Sequence, residues 1–182
     1  LHDFSNGAMT ARSLVRNSRM STNTAARYLR DMAISKDSAT LESNAKRVDE
    51  LIVSIRSDIE ELKAMNILDA GEVNTYSTLM EQWIAIGGRV EESLRSEAAA
   101  GNSNTTGMTE SERILVEECT PTLDALVAQA MVLDDATAVL QDETLDESVK
   151  STNQDMIIVV ALLVVAVILA FVICIKVTAS IV

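Results

Sequence analysis

Five arginines fall in the first thirty residues, at positions 12, 16, 19, 27 and 30, and Asn23 stands among them. Positions three and four apart share one face of a helix. Arg12, Arg16, Arg19 and Asn23 therefore form a row, with Arg27 beside it and Arg30 further on. A guanidinium is planar, permanently charged and donates in a fork that matches a carboxylate. A second polar feature lies about a hundred residues on. CTPT, residues 119 to 122, holds the only proline, inside a segment that otherwise reads as helix. A proline in a helix interior costs about 3 kcal/mol and leaves a carbonyl without its donor. The apolar row Val116, Cys119, Leu123, Leu126 crosses Pro121 in register, which predicts a continuous, kinked helix. The freed Glu117 carbonyl and the Thr122 hydroxyl would then form a polar patch open to a ligand. In the alternative, Thr120 caps a new helix with Pro121 in its first turn.

Other chemistry is excluded by what is missing. There is no Gly-rich phosphate loop, no CxxC pair and no HExxH motif. The one histidine, His2, has no partner near it in sequence. Cys119 lies in a polar part of the chain and Cys174 in an apolar run, so no disulfide is expected between them. These residues predict neither an enzyme nor a cofactor or metal. A nucleic-acid partner is also excluded, because the net charge is −12 and only 3% of residues are aromatic.

That charge is unevenly spread. Residues 1–35 carry five arginines against Asp3 and Asp31, a net +3, whereas 36–155 carry 9 basic and 25 acidic residues, a net −16. Arg12 and Arg16 are expected to pair with acids on neighbouring helices. Two copies of the first helix would set arginines against one another, an arrangement that suits an anion held between them.

The elements that would position these residues follow from 3-4 apolar spacing. The rows are Phe4, Ala8, Ala11, Val15, Ser18, Thr22, Ala25, Leu29, Met32; then Leu41, Ala45, Val48, Ile52, Ile55, Ile59, Leu62; then Val73, Tyr76, Met80, Trp83, Gly87, Val90, Leu94; and last Val116, Cys119, Leu123, Leu126, Ala130, Leu133, Thr137, Leu140. Asp69 with Glu72, and Thr109 with Glu112, fit capping boxes, and Asp37 or Ser38 can cap the second helix. GNSNTTG, residues 101–107, reads as a polar loop. Gly87-Gly88 marks either a close helix approach or a tolerated weakness. The expected fold is all-α: an antiparallel up-down-up-down four-helix bundle whose fourth helix continues into a transmembrane helix.

Met156 to Ile175 contains no charge, glycine or proline. As a helix it would span about 30 Å, the thickness of a hydrocarbon core. Asp155 and Lys176 flank it, and the lysine sets the cytoplasmic side. The expected organisation is an extracytoplasmic bundle over 1–155, a membrane helix over 156–175 and the start of a cytoplasmic segment over 176–182. The expected location is the inner (plasma) membrane, with 1–155 periplasmic or extracellular. Residues 140–155 lose most of their apolar side chains and should be helical but splayed or solvated. The chain starts at Leu1 and stops soon after the apolar run, as a piece of a longer protein would.

This organisation resembles the sensor domain of bacterial methyl-accepting chemotaxis proteins, over the whole chain. Residues 25–52, AARYLRDMAISKDSATLESNAKRVDELI, look like that family's turn between helices 1 and 2. YSTLMEQWIAIGGRVEESL, residues 76–94, resembles its helix 3. The resemblance implies a homodimer that binds a small molecule, an amino acid or organic acid, across the dimer interface. It also implies a HAMP module and a signalling coil downstream. Arginines of helix 1 would hold ligand carboxylates, and a Pro-Thr step on helix 4 would hold its ammonium. Pro121-Thr122 matches that step and Arg27 matches one ligand arginine. The other two family arginines fall near Ser18 and Asn23, with Arg19 and Arg30 close by. Glu117 and Glu118 precede the Pro-Thr step, where the family is less acidic. This favours a ligand with one carboxylate, or with an amine facing Glu117. The candidate site is thus Arg27, Asn23, Arg19, Arg30, Glu117, Thr120 and Thr122. A histidine kinase or cyclase could carry the same sensor, and a membrane-anchored structural bundle without a ligand is the rival of a different class.

Overall fold

The computed structural model is all-helical over its described backbone, residues 2–35, 37–100 and 107–179. Side chains are described for 7–35, 37–100, 107–143, 145–146, 149–154 and 156–163. The elements are α1 (His2–Ser35), α2 (Ser38–Met65), α3 (Ala70–Ala99), α4 (Glu110–Ile114), a π-helical turn (Leu115–Cys119) and α5 (Thr120–Ala179). Phe4, His2, the connection 101–106, Cys174 and Lys176 lie outside the described side chains.

The helix starts are set by short polar side chains that satisfy otherwise orphaned N–H groups. Asp37 accepts from the Thr40 N–H, Asp69 from the Glu72 N–H, and Thr109 forms a reciprocal capping box with Glu112. At the other end of α2, Asn66 takes the left-handed conformation that terminates helices, at φ 49°.

α1 packs on α2 and α5, and α3 packs on α2, α4 and α5, with a smaller α1–α3 contact. The apolar rows face this shared interior. In the first row every described member is buried, as is the whole third row, and in the second only Ile52 is partly exposed. Ser18 and Thr22 interrupt the α1 row without being orphaned. The Ser18 hydroxyl lies 2.7 Å from the Tyr76 hydroxyl, and Thr22 Oγ1 donates to the Ser18 carbonyl at 2.7 Å. Buried polar groups are tolerated when bonded in this way.

The fourth row needs correction. Val116 is 57% exposed, while Ile114 and Leu115 are buried in its place. The reason is the π-helical turn, which inserts one extra residue into the helix. The Thr120 N–H reaches back five residues to the Leu115 carbonyl. Thr120 is itself helical, at φ −64° and ψ −50°, so it is not the cap of a new helix. The chain thus runs through Pro121 without a break, and the widened turn precedes the residue that lacks an N–H.

The two adjacent glycines differ. A Cβ on Gly87 would meet Leu29 Cδ1 at 3.3 Å, so this glycine marks a close approach of α3 to α1; one on Gly88 would meet nothing within 4 Å. Gly88→Ala is expected to raise the unfolding free energy by about 0.5–1 kcal/mol through helix propensity alone. Gly87→Ala has to displace Leu29 and should gain less or lose. Urea denaturation of both variants checks this, and a Gly87→Ala gain larger than that of Gly88→Ala contradicts it.

Between α2 and α3, burial raises the pKa of Glu91 from 4.5 to about 6; Asp49 and Glu42 add to the rise and Arg95 opposes it. Protonated Glu91 is therefore favoured by the fold. Its contribution to stability is fully present below pH 4.5 and is lost as pH rises through about 6. Glu91→Gln should stabilise the protein at pH 7 by about 1–2 kcal/mol after solvent screening, and by progressively less toward pH 4.5. Thermal unfolding of the pair from pH 4.5 to 7.5 tests it; parallel curves would refute the assignment.

The expected placement in the inner membrane, with 1–155 periplasmic or extracellular, does not stand. Among the described residues no helix is long and apolar enough to cross a membrane. The described apolar side chains at the far end of α5 run from Met156 to Leu163, about 12 Å of helix. The eighteen residues ending at Leu163 include Asp146, Glu147, Lys150 and Asp155. The remainder of the run, 164–175, lies outside the described side chains. Residues 140–155 are helical, and Leu145 and Val149 are 54% and 58% exposed, in keeping with the solvated helix expected there.

Candidate functional site

The arginine-bearing face of α1 forms a shallow groove of about 590 Å³, lined by Arg16, Arg19, Met20, Asn23, Thr24 and Arg27. All six belong to one helix, so the groove is open on its outer side. Its hydrogen-bonding groups are mainly donors. No carboxylate lines it, and the Thr24 hydroxyl already donates to the Met20 carbonyl at 2.9 Å.

Most basic residues elsewhere are neutralised. Arg12 and Arg16 share Asp134 of α5, at 3.0 and 3.2 Å, as expected for these two. Burial works to raise the Asp134 pKa, and the two guanidinium groups more than reverse it. Arg56 pairs with Glu81, Arg89 with Glu118, and Arg95 with Glu42. Arg113 holds Glu110, Glu117 and Glu118. Arg19, Arg27 and Arg30 make no ion pair among the described residues. In a chain with 27 acidic and 15 basic residues, three unneutralised arginines on one helix stand out against that background of pairing.

Arg27 is positioned by its neighbour. Its guanidinium lies 5.7 Å from the Tyr28 ring centre, and Arg47 of α2 lies 5.5 Å from the same ring while donating to the Tyr28 hydroxyl at 3.1 Å. The Arg47 hydrogen bond pulls the Tyr28 phenol below its ordinary pKa, and Arg27 adds to the effect. Cation–π contact of this kind restrains a long side chain without consuming its charge.

Arg30 belongs to a different concavity. It joins Ala33, Ile34, Glu112, Leu115, Val116 and Thr120 around a cleft of about 500 Å³, between the end of α1 and the π-helical turn. The Thr120 hydroxyl donates to the Leu115 carbonyl at 2.8 Å, and that of Thr122 to the Glu118 carbonyl at 2.8 Å. Glu117 accepts from Arg113 at 2.9 Å. The structure therefore gathers Arg19, Asn23 and Arg27 in one groove and Arg30 with Thr120 in another. Glu117 and Thr122 stand apart, each bonded within its own helix.

Comparison with protein-family models, curated proteins and solved structures returned no match.

Sequence reasoning missed Met20, Thr24 and the Tyr28–Arg47 brace. A signal for the first was present. Met9, Arg16, Asn23 and Arg30 recur at intervals of seven, as do Ser13, Met20, Arg27 and Ile34. Of these, Met9, Met20 and Ile34 are 49%, 65% and 80% exposed. This is a second heptad row on α1, directed away from the interior. The brace across α1 and α2 left no such trace, since the register between two helices is not written in either one.

Proposed function

We propose that the chain is the sensing part of a homodimeric chemoreceptor, built as an antiparallel up-down-up-down bundle of α1, α2, α3 and the continuous α4–α5 rod. Two α1 helices meet along the outward heptad row and close the arginine groove between them. A small organic ligand, an amino acid or organic acid, binds there and favours one arrangement of the dimer. α5 passes that preference to a signalling module that follows in the full-length protein. The ligand acts only through its different affinity for the two arrangements.

The observation that carries this reading is the set of unneutralised arginines on α1, with Arg27 and Arg30 on its outward row, in a protein whose other described arginines, Arg47 apart, are ion-paired. Apolar Met9, Met20 and Ile34 on the same row support a helix–helix contact rather than a bare cationic face. Arg27 facing its own copy would repel, which makes a bound anion part of the assembly.

A thermal-shift screen of the full chain against amino acids and small organic acids tests the sensing role. A hit is expected that Arg27→Ala abolishes with helix content intact. If no compound raises the melting temperature, a structural bundle without a ligand is the better description. The dimer contact has its own test. Met20→Cys is expected to cross-link to its own copy under mild oxidation, while Val53→Cys on α2, where Val53 is 71% exposed, should not. Equal cross-linking at both sites would remove the α1 contact.

A further inference from the structure

We propose that the ligand of the α1 groove is a small di- or tricarboxylate that carries no ammonium group. The inference rests on the sensing role proposed above and narrows its ligand. An amino acid presents a cation as well as an anion, and its ammonium needs an acceptor, best an anionic one. The groove offers no anionic one: its lining is three arginines, an asparagine whose amide oxygen is a neutral acceptor, a threonine whose hydroxyl donates within the helix, and a methionine. Asp31, one turn beyond Arg27 on α1, is not part of the lining, and Asp134 of α5 is held by Arg12 and Arg16. Glu117, the acid next to the proline, is held by Arg113, together with Glu110 and Glu118. The hydroxyls of Thr120 and Thr122 donate to carbonyls of their own helix.

What remains is an excess of donors. Arg19 and Arg27 are without anionic partners among the described residues, and Arg27 is steadied by the Tyr28 ring. Arg19 and Arg27 lie eight residues apart, about 12 Å along the helix axis, so both guanidinium groups are best engaged by a ligand with more than one anionic end. In a dimer the second copy contributes the same donor set, and the positive charge to be neutralised doubles. Paired carboxylate oxygens match guanidinium forks, and two or three such groups on one small carbon frame meet the charge without introducing a cation.

Succinate and aspartate separate this from the wider proposal, because they share two carboxylates and differ by one ammonium. Calorimetric titration of the full chain with succinate, citrate, aspartate, serine and inorganic phosphate is the experiment. Succinate or citrate is expected to bind at least tenfold more tightly than aspartate. Arg19→Ala and Arg27→Ala should each weaken that binding by about tenfold or more, and Arg56→Ala should leave it unchanged. Aspartate or serine binding more tightly than succinate would overturn the inference and leave the sensing role standing. Phosphate binding with no carboxylate binding would overturn the carboxylate assignment. Binding of none of the five would overturn the inference, and the wider thermal-shift screen then decides the sensing role.

Discussion

Trp83→Ala is expected to lower the unfolding free energy by about 3–5 kcal/mol, the largest effect of any single described side chain. Trp83 is 1% exposed and sits in the interior formed by α1, α3 and α5. Removing the indole leaves a cavity bounded by helices too stiff to collapse into it. Trp83→Phe should cost far less, within about 1.5 kcal/mol. The reason is the indole Nε1, which is buried with no hydrogen-bond partner among the described residues. Its polar edge does influence the Cys119 thiol. Burial raises that thiol's pKa, while the indole and the Arg30 charge offset part of the rise. A phenyl ring keeps most of the volume and abolishes the unsatisfied donor, so two opposing terms nearly cancel. Chemical denaturation of both variants decides the matter. Equal losses for Ala and Phe would mean that the N–H, rather than the ring, is what the interior needs.

The second large effect concerns the helix at Pro121. Deleting Val116 should cost about 3 kcal/mol while the proline is present, and much less after Pro121→Ala. Val116 is exposed and contributes little to the interior. Its deletion shortens the π-helical turn to an ordinary α-helical one and keeps both flanking registers. In an unwidened helix, the pyrrolidine ring would press on the carbonyl four residues back. The turn and the proline are thus coupled: each is costly alone and tolerable together. A double-mutant cycle by urea denaturation reads the coupling directly. If the deletion costs the same in both backgrounds, the widened turn has another cause.

That turn also marks where sequence stops being sufficient. The periodic rows of the first three helices were legible because burial follows a 3-4 spacing, and Ala11, Leu29, Ile55, Tyr76 and Val90 lie where that spacing puts them. The caps at Asp37, Asp69 and Thr109 were legible for a related reason, since each depends on residues within one turn. Val116 was misplaced because a π-helical turn adds one residue to the count, and no residue type announces it. Buried Ser111, Leu115, Cys119 and Leu123 are spaced by fours, a run that in hindsight signals the extra residue. The arginines were visible as a charge asymmetry. That Arg12 and Arg16 would be neutralised was also legible, but their partner was not, because Asp134 lies more than a hundred residues from both. The Tyr28–Arg47 brace was hidden in the same way.

The hydroxyls buried between α1 and α3 bear on how these helices can move. Ser18 is bonded to Tyr76, and Thr22 lies 3.5 Å from the Met80 sulfur while donating to the Ser18 carbonyl. Sliding α1 past α3 by one turn, about 5.4 Å, would strand these groups in an apolar interior. The corresponding stretch of α5 presents Leu123, Leu126, Ala130 and Leu133 inward, and its polar links to other helices, at Asp134 and Gln129, lie toward solvent where water can replace them. α1 and α3 therefore behave as a keyed pair, fixed in register. α5 is the greased rod beside them, and axial displacement is cheapest there.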